Sequence, residues 1–474
     1  MGHGQEVFKE LLRLKDKRIP GRYRAKVANL AWRVDFADLG LGLLHRTVRH
    51  VTETASTEEI AEYAQCLILA GADEEALELL STLNATEPKV LLYKASALIS
   101  RWRHVEAIPL LKEYLSSDKL PQYQRTVGEL NLVACFIVLK NWGKARLHLG
   151  RLIHNTSLRR YGLLHASALN LSMQLLALQG KCDEMERVAA KAAELVAFRV
   201  PWNALITRKW AAFGKLIKTK GSKESLVQLS RVRREAESTG NWETVRQCDR
   251  FRAVCTQNDN LFIHLIFGTH DERLRQEMLT EYPHPVTLPD RYVWKLNAPG
   301  NHEHTLDLFS TEGKTFAAQF PPGSTPYRCL ATLVSDFYRP FRVAELFRSL
   351  YPDEQFNPFS SSSRVHSTVY RITKWTKSRG LPITIHEENG KYRLIANQPC
   401  AIYVPREAKE VRKENYTLSQ LRNEFTGKAF SADEASRHLQ VSRSSVLRLL
   451  QTASAEGRVV SSGRSRAMKY RFCA

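Results

Sequence analysis

The strongest constraint on the fold is a short pattern that returns six times in the first 260 residues, at intervals of 31 to 40 residues. Each copy starts with a turn-like or aromatic residue, continues with a small or apolar residue, and has an aliphatic residue about four positions later. Amphipathic helix pairs that recur at such a period are typical of a helical solenoid, because each pair buries its apolar face only against its neighbours. The residues at the matching position are Leu39, Ala76, Ala107, Ala145, Met185 and Ser225.

The copies resemble the tetratricopeptide repeat (TPR), in which the small residue lets the second helix of a pair pack closely on the first. Pro88 and Pro121 stand where that repeat often ends its second helix, whereas its tryptophan, glycine and tyrosine positions are not kept together. The resemblance is to a degenerate TPR-like array over residues 1–260, and it implies a concave surface for a peptide or protein ligand, or a role in forming a homodimer. A long all-α domain without repeats gives a similar periodicity and is the alternative.

After Asn260 the sequence predicts a strand-rich junction over residues 261–320. The apolar run LFIHLIF fits either a buried strand or the last helix of the array. Residues 291–296 alternate like a strand, and residues 305–320 are predicted to form a hairpin that turns at Glu312–Gly313. His302 and His304 have no obvious third ligand beside them, so no metal site is predicted.

Residues 304–396 contain the preceding strands, then helical segments at 326–337, 342–352 and 361–380, and a hairpin with an Asn389–Gly390 turn. This order resembles the winged-helix domain of OmpR/PhoB-type bacterial response regulators. The resemblance implies that the third helix lies in the major groove and that the hairpin wing contacts the minor groove. The implied DNA-contacting residues on the third helix are Arg364, Tyr370, Arg371 and Lys374.

The wing of this first domain departs from that family. Its tip carries Glu387 and Glu388, and two carboxylates repel phosphate. The sequence therefore leaves open whether the first winged helix contacts DNA or protein. No receiver domain with a phosphorylated aspartate precedes it, so control by aspartyl phosphate is not expected.

A charged linker is predicted over residues 397–415, followed by a second small domain at 416–474. Helical segments fall at 416–425, 431–439 and 442–457, and Ser431 and Glu434 form a capping box at the start of the second. A hairpin that turns around Ser462–Gly463 closes the chain. The predicted core positions of this domain are Ala435, Leu439, Val441, Val446, Leu449 and Leu450.

The second domain resembles the winged helix-turn-helix of many bacterial regulators. In that motif the first residues of the third helix read base edges and the wing contacts phosphate or the minor groove. Leu447 is expected on the outward face with the polar residues. The DNA-contacting residues implied here are Ser442, Arg443, Ser444, Arg448, Gln451, Arg464, Arg466, Lys469 and Arg471.

Charge supports a polyanionic partner. The chain of 474 residues has a formal net charge of +21, and residues 324–474 alone hold 25 Lys and Arg against 13 Asp and Glu. A strongly basic region with few acids is the electrostatic footprint of a nucleic-acid-binding protein. The alternative is a generally basic surface without a polyanionic partner, since charge alone does not identify a partner.

Other features narrow the class of protein. The eight cysteines form no CxxC pair, no apolar stretch is as long as a membrane span, and no signal peptide is evident, which predicts a cytoplasmic protein that does not contact membranes. No P-loop, GxGxxG, HExxH or GxSxG motif occurs, so neither an enzyme nor a cofactor is expected.

Taken together, the sequence predicts a mainly α protein with an N-terminal TPR-like solenoid and two winged-helix (α+β) domains. The first hypothesis for function is a transcriptional regulator that binds double-stranded DNA. One alternative is a scaffold subunit, because helical repeats followed by a winged helix also resemble PCI-type subunits of large complexes. Another is a replication or partition initiator, since some initiators pair two winged helices.

Overall fold

The computed structural model describes residues 4–14, 19–49, 55–84, 87–195, 201–297, 305–309, 320–406, 413–463 and 468–473. Within these ranges the protein is mainly α, with 22 helices and three small sheets. We call residues 4–281 the helical array, residues 291–406 the first mixed unit and residues 413–473 the second mixed unit.

The array contains the first sixteen helices. They are α1 (Gly4–Arg13), α2 (Gly21–Arg33), α3 (Ala37–Arg49), α4 (Thr57–Ala70), α5 (Asp73–Ser81), α6 (Pro88–Ser100), α7 (His104–Ser116), α8 (Gln122–Val138), α9 (Trp142–Leu158), α10 (Gly162–Leu178), α11 (Cys182–Ala193), α12 (Pro201–Lys218), α13 (Lys223–Ser238), α14 (Trp242–Thr256), α15 (Asp259–Phe267) and α16 (Glu272–Glu281). The LFIHLIF run is therefore a helix and not a strand, and Asn258 caps it by accepting a hydrogen bond from the backbone N–H of Leu261.

The six repeated stretches share one turn geometry. A residue with positive φ, between 49° and 89°, follows the first helix of each pair, at positions 35, 71, 102, 140, 180 and 220. The next N–H group then donates to the carbonyl oxygen five residues earlier, with N···O distances of 2.8–3.0 Å. These bonds run from Phe36 to Ala31, Ala72 to Leu67, Arg103 to Leu98, Asn141 to Phe136, Lys181 to Leu176 and Gly221 to Leu216. The shared turn sets the same reversal of direction between the two helices of every pair.

The small residues of the pattern lie where the paired helices touch. Ala76, Ala107 and Ala145 are completely buried, as are Met185 and Ser225 in the later pairs. Leu39 is only half-buried. In that first pair Gly40 of α3 lies against Ala28 of α2, and a Cβ on Gly40 would be 3.4 Å from the Ala28 Cβ and 2.5 Å from Cys66 Sγ of the following helix α4.

Alternate helices form a second layer of contacts. Helix α2 packs on α4 and α4 on α6, and in the later part α8, α10, α12 and α14 follow one another in the same way. We call these alternate helices the row, and other elements of the same chain lie beside it. Arg273 of α16 binds Glu106 of α7 at 3.0 Å, and Lys140 binds Glu281 of α16 at 2.9 Å. Helix α16 therefore lies against the array next to α7 and the turn after α8.

The first mixed unit has two three-stranded sheets and three helices. Its elements are β1 (Arg291–Leu296), β2 (Thr305–Leu306), α17 (Thr325–Leu333), β3 (Phe341–Arg342), α18 (Val343–Leu350), α19 (Ser361–Ser378), β4 (Ile383–Glu388), β5 (Lys391–Ala396) and β6 (Cys400–Pro405). The three predicted helices and the Asn389–Gly390 hairpin are confirmed, and β3 pairs with β5 to complete their sheet. The predicted turn at Glu312–Gly313 lies outside the described residues, as do His302 and His304.

Strand β6 corrects the linker expected at 397–415. Residues 400–405 form the central strand of the other sheet, antiparallel to β1 and parallel to β2. Cys400, Ala401 and Ile402 are fully buried there. The apolar run CAIYVP is the local signal for this strand, and the charged residues that follow it obscured that signal.

The array and the first mixed unit share their core. One continuous apolar cluster joins residues of α3, α4 and α5 to residues of α17, α18 and α19, and α18 packs directly on α4. The backbone N–H of Phe356 donates to Glu75 Oε2 at 2.9 Å. At the other end of the array, His264 of α15 stacks on Trp294 of β1 with ring centroids 3.8 Å apart.

A buried ion pair makes a further connection between these two regions. Arg246 of α14 binds Asp336 at 2.7 Å, and their side chains are 6% and 1% exposed. Asp336 also accepts hydrogen bonds from the backbone N–H groups of Tyr338 and Arg339 at 2.9 and 3.2 Å. One carboxylate therefore holds the loop after α17 and compensates a buried guanidinium.

We expect Asp336→Asn to lower the free energy of unfolding by about 3 to 5 kcal/mol, because it leaves the Arg246 charge buried without its main counter-ion. Chemical denaturation of the full chain measures this loss. Asp183→Asn is the matched control, since Asp183 pairs with Lys218 at the surface and its loss should leave the midpoint unchanged. Equal midpoints for the two variants would contradict a structural role for the buried pair.

Candidate nucleic-acid interface

The second mixed unit consists of three helices and a hairpin with a core of its own. Its elements are α20 (Lys413–Glu424), α21 (Ala432–Leu439), α22 (Arg443–Ala455), β7 (Val459–Ser462) and β8 (Lys469–Phe472). Its apolar cluster contains only residues between Leu418 and Phe472. Strands β7 and β8 pair from Val459 with Phe472 to Ser462 with Lys469, which confirms the predicted hairpin, and residues 464–467 of its connection lie outside the described residues.

Local hydrogen bonds place α21 and α22 as expected. Ser431 and Glu434 form the predicted capping box, in which Ser431 Oγ accepts from the Glu434 N–H and Glu434 Oε2 accepts from the Ser431 N–H. Gln440 ends α21 in the left-handed conformation, with φ of 53°. Ser442 then caps α22 by accepting from the Ser445 N–H at 3.3 Å. The short turn between the two helices sets α22 across α21.

The buried face of α22 differs in part from the prediction. Val446 and Leu450 are fully buried, as is Ala435 of α21. Leu439 and Leu449 are only half-buried, and Leu447, expected on the outward face, packs against the core. Val441 was predicted in the core but is 38% exposed, because it follows the turn residue Gln440 and lies before the first residue of α22.

The outward face of α22 presents the predicted polar residues. Ser442, Arg443, Ser444, Arg448 and Gln451 are all exposed. Of the two arginines, Arg443 is held by Asp433 of α21, with Nε 2.7 Å from Oδ1. Arg448 makes no ion pair with any carboxylate in the described ranges.

On the hairpin, the two described basic residues also divide into a paired and an unpaired one. Lys469 binds Glu434 Oε2 at 3.1 Å. Arg471 is exposed and has no carboxylate partner among the described residues. Arg464 and Arg466 lie outside the described residues. Among the predicted DNA-contacting cations of this unit that the structure describes, Arg448 on α22 and Arg471 on β8 are therefore the unpaired ones.

Helix α19 of the first mixed unit presents a second basic face. Tyr370 is 67% exposed, and Arg371 and Lys374 are exposed beside it without an ion pair in the described part of the chain. Val365, Ile372 and Trp375 form the opposite, buried face. The prediction did not include Lys377, which is exposed one turn beyond Lys374, and the three-residue spacing was the signal for it.

Arg364 does not belong to this free face. Its guanidinium binds Glu354 at 2.5 and 2.8 Å and lies 3.7 Å from the centroid of the Tyr351 ring. Both partners precede α19, so Arg364 anchors the loop between α18 and α19. Nothing in the sequence indicated this pairing, and Arg364 would have to leave Glu354 to act as the predicted DNA contact.

The β4–β5 hairpin, predicted as the wing of the first mixed unit, faces the array on one side. Arg393 of β5 lies 5.8 Å from the centroid of the Trp242 ring of α14. At the tip Glu387 and Glu388 are exposed, and Glu387 Oε1 accepts a hydrogen bond from the Gly390 N–H at 2.8 Å. The acidic tip and the contact with α14 both differ from a wing that binds phosphate.

The described residues offer no metal centre, because no three His, Cys, Asp or Glu side chains among them are grouped closely enough to hold an ion. Of the eight cysteines, six are buried and two are half-buried, and none of them forms a disulfide. Among the described helices, none combines the length and the apolar character needed to cross a membrane.

Comparison with known proteins does not assign the chain to a family. No protein-family model matches it, and no curated protein matches it.

The capping box gives the second mixed unit a dependence on pH. Hydrogen bonds from Ser431 and the nearby Lys469 ammonium lower the pKa of Glu434 from 4.5 to about 2. A carboxylate with a lowered pKa stabilises the fold at pH values above its unfolded pKa, and this contribution disappears as the pH falls through its folded pKa.

We therefore expect Glu434→Gln to increase amide hydrogen exchange in α21 at pH 6, and the difference from wild type to vanish between pH 4.5 and 2. Glu456→Gln, at the end of α22, is the control, and a pH-independent difference for Glu434→Gln would contradict the assignment.

Proposed function

We propose that the chain is a DNA-binding transcriptional regulator, in which two winged-helix-like units contact duplex DNA and a TPR-like helical array acts as the sensing or oligomerising part. The observation that carries the proposal is the pair of basic helix faces on α22 and α19. Each face presents exposed cations without a carboxylate partner among the described residues: Arg448 with Arg471 of β8 in one unit, and Arg371 with Lys374 in the other. Uncompensated cations on an exposed helix suit the phosphates and base edges of DNA.

The turn between α21 and α22 supports base contacts by the second unit. Ser442 and Ser444 lie at the start of α22, and Arg448 and Gln451 follow on the same exposed face. In helix-turn-helix proteins the first turns of this helix enter the major groove, where arginine pairs with guanine and glutamine with adenine. Arg443 would have to leave Asp433 to take part, so it is the weaker candidate.

The repeated turn supports the TPR-like part of the proposal. In six consecutive helix pairs one residue takes the left-handed conformation and the next N–H bonds to the carbonyl five residues earlier, as expected for a solenoid of similar units. Such a solenoid does no chemistry by itself. A partner could alter DNA binding only by a difference in its affinity for two states of the protein.

The test is the affinity of the full chain for mixed-sequence duplex DNA across a series of salt concentrations. We expect Arg448→Ala with Arg471→Ala to weaken binding at least tenfold. The slope of log affinity against log salt should fall by about 0.9 for each phosphate that the variant no longer neutralises. Arg371→Ala with Lys374→Ala should have a similar effect, because the proposal places the first unit on DNA as well.

The matched control is Arg187→Ala with Lys191→Ala on α11, which removes the same charge from an exposed part of the array. Its affinity should stay within twofold of wild type. If this control weakened binding as much as the variants on α22 and α19, the interaction would be a general attraction by net charge. Absence of binding at low salt would reject the proposal, whereas a preference for one sequence would open the choice between a promoter and a replication or partition site.

A scaffold subunit is the second candidate, and the wing of the first mixed unit favours it. Its acidic tip and the contact of Arg393 with Trp242 suit a module that packs on protein. The extensive shared core between α18 and α4 points the same way. On this view the first mixed unit does not bind DNA, whether or not the second one does. The Arg371→Ala with Lys374→Ala variant would then bind DNA like wild type.

A further inference from the structure

The inner row of the array encloses a cavity of about 250 Å³ that no function assigned so far uses. Its walls come from α8, α10, α12 and α14, and α16 closes one side. Five aromatic side chains dominate the lining: Trp102, Trp142, Trp210, Phe213 and Phe251. Phe213 and Phe251 are stacked with centroids 3.6 Å apart, and Trp210 lies 5.6 Å from Phe251. These faces suit a planar ring.

The polar residues at the cavity rim largely neutralise one another. Arg250 binds both Glu277 and Glu281 of α16, and Lys140 binds Glu281 as well. The rim therefore carries no excess negative charge that would select a cationic ligand.

A buried cation lies directly behind the wall. Lys209 is 5% exposed, and its ammonium is 4.3 Å from the Trp210 ring centroid and donates to Gln247 Oε1 at 2.7 Å. No carboxylate in the described residues forms an ion pair with it. Burial lowers the pKa of Lys209 to about 8, so it is still mainly charged at neutral pH. Glu243 attracts this ammonium electrostatically but is not within ion-pair distance of it, so the buried charge still favours an anion nearby, because the surroundings screen it poorly.

Gln247 connects this cation to the cavity. It lines the cavity, and its side-chain oxygen is occupied by Lys209. Its Nε2 donates one hydrogen to Glu243 at 3.4 Å. The second hydrogen on Nε2 has no acceptor among the described residues, which leaves it free for a carboxylate or carbonyl oxygen in the cavity.

We propose that the cavity binds a small aromatic carboxylate, with its ring among the tryptophan and phenylalanine side chains and its carboxylate on the side of Gln247 and Lys209. The volume suits one or two fused rings and excludes a helical peptide. A second cavity nearby, of about 550 Å³ between α4, α6, α14 and α18, is lined by five arginines and six carboxylates, so its lining has no large excess of either charge.

The site also has a physical route to the first mixed unit. From Gln247, hydrogen bonds continue to Glu243, from Glu243 to Arg246 at 3.1 Å, and from Arg246 to Asp336 at 2.7 Å. Asp336 lies in the loop after α17, so the wall of the cavity and that loop belong to one hydrogen-bonded chain. An anion that draws Lys209 and Gln247 towards the cavity would act on this chain.

The test is calorimetric titration of the full chain at pH 7 with indole-3-acetate and with its neutral analogue indole-3-acetamide. We expect saturable binding of one equivalent, with at least tenfold preference for the acid. Trp142→Ala, which removes a half-buried lining ring, should weaken binding of both probes at least tenfold. Trp202→Ala is its matched control, because Trp202 is 60% exposed and does not line the cavity, and it should bind like wild type.

Lys209→Met separates the charge from the shape of the site. We expect this variant to keep its affinity for the amide and to lose the preference for the acid. No saturable binding of either probe at millimolar concentration would overturn the site. Equal binding of acid and amide by wild type would overturn the ligand class. The titrations contain no DNA, so they can fail or succeed independently of the proposed regulatory function.

Discussion

The architecture depends on the turn that reverses the chain within each helix pair. In six pairs a residue takes the left-handed conformation, and the following N–H bonds to the carbonyl five residues earlier. Only two of the six left-handed residues, Gly71 and Gly180, are glycines. The other four residues adopt this conformation at a modest conformational cost.

Repetition of this turn brings alternate helices into one row, and the row gives the chain its interior. Helix α16 at the end of the array contacts α14 of that row through Arg250, which binds Glu277 and Glu281, while α18 packs on α4. The first mixed unit is consequently part of the same body as the array. The second mixed unit has a separate core, so the two basic helix faces are supported in different ways: α19 by the array's own core and α22 by a small independent one.

Buried charge is concentrated where the array meets the first mixed unit. Arg246 and Asp336 compensate each other there, and Glu243 and Gln247 extend the hydrogen-bonded chain to Lys209. An apolar replacement would avoid the desolvation of these groups, since a buried pair seldom stabilises more than well-packed hydrophobic residues. The arrangement instead links an aromatic cavity to a loop of a candidate DNA-binding unit, so a ligand in the cavity has a physical route to that unit.

The sequence by itself determined the features that depend on neighbouring residues. The period of the helix pairs, the capping box of Ser431 and Glu434, the cap at Ser442 and the hairpin at Asn389–Gly390 all follow from hydrogen bonds and apolar contacts within a few positions. The exposed faces with Arg371, Lys374 and Arg448 follow from helical periodicity in the same way.

Only the tertiary structure decided which charges meet and which segments pair. Strand β6 needed β1 and β2 as partners from about a hundred residues earlier, and Arg246 needed Asp336 across a separation of 90 residues. Arg364 and Arg443 look equivalent to Arg371 and Arg448 in the sequence, yet Glu354 and Asp433 hold them. Periodicity places a side chain on a face of a helix, but its counter-ion is supplied by whichever segment the fold brings beside it.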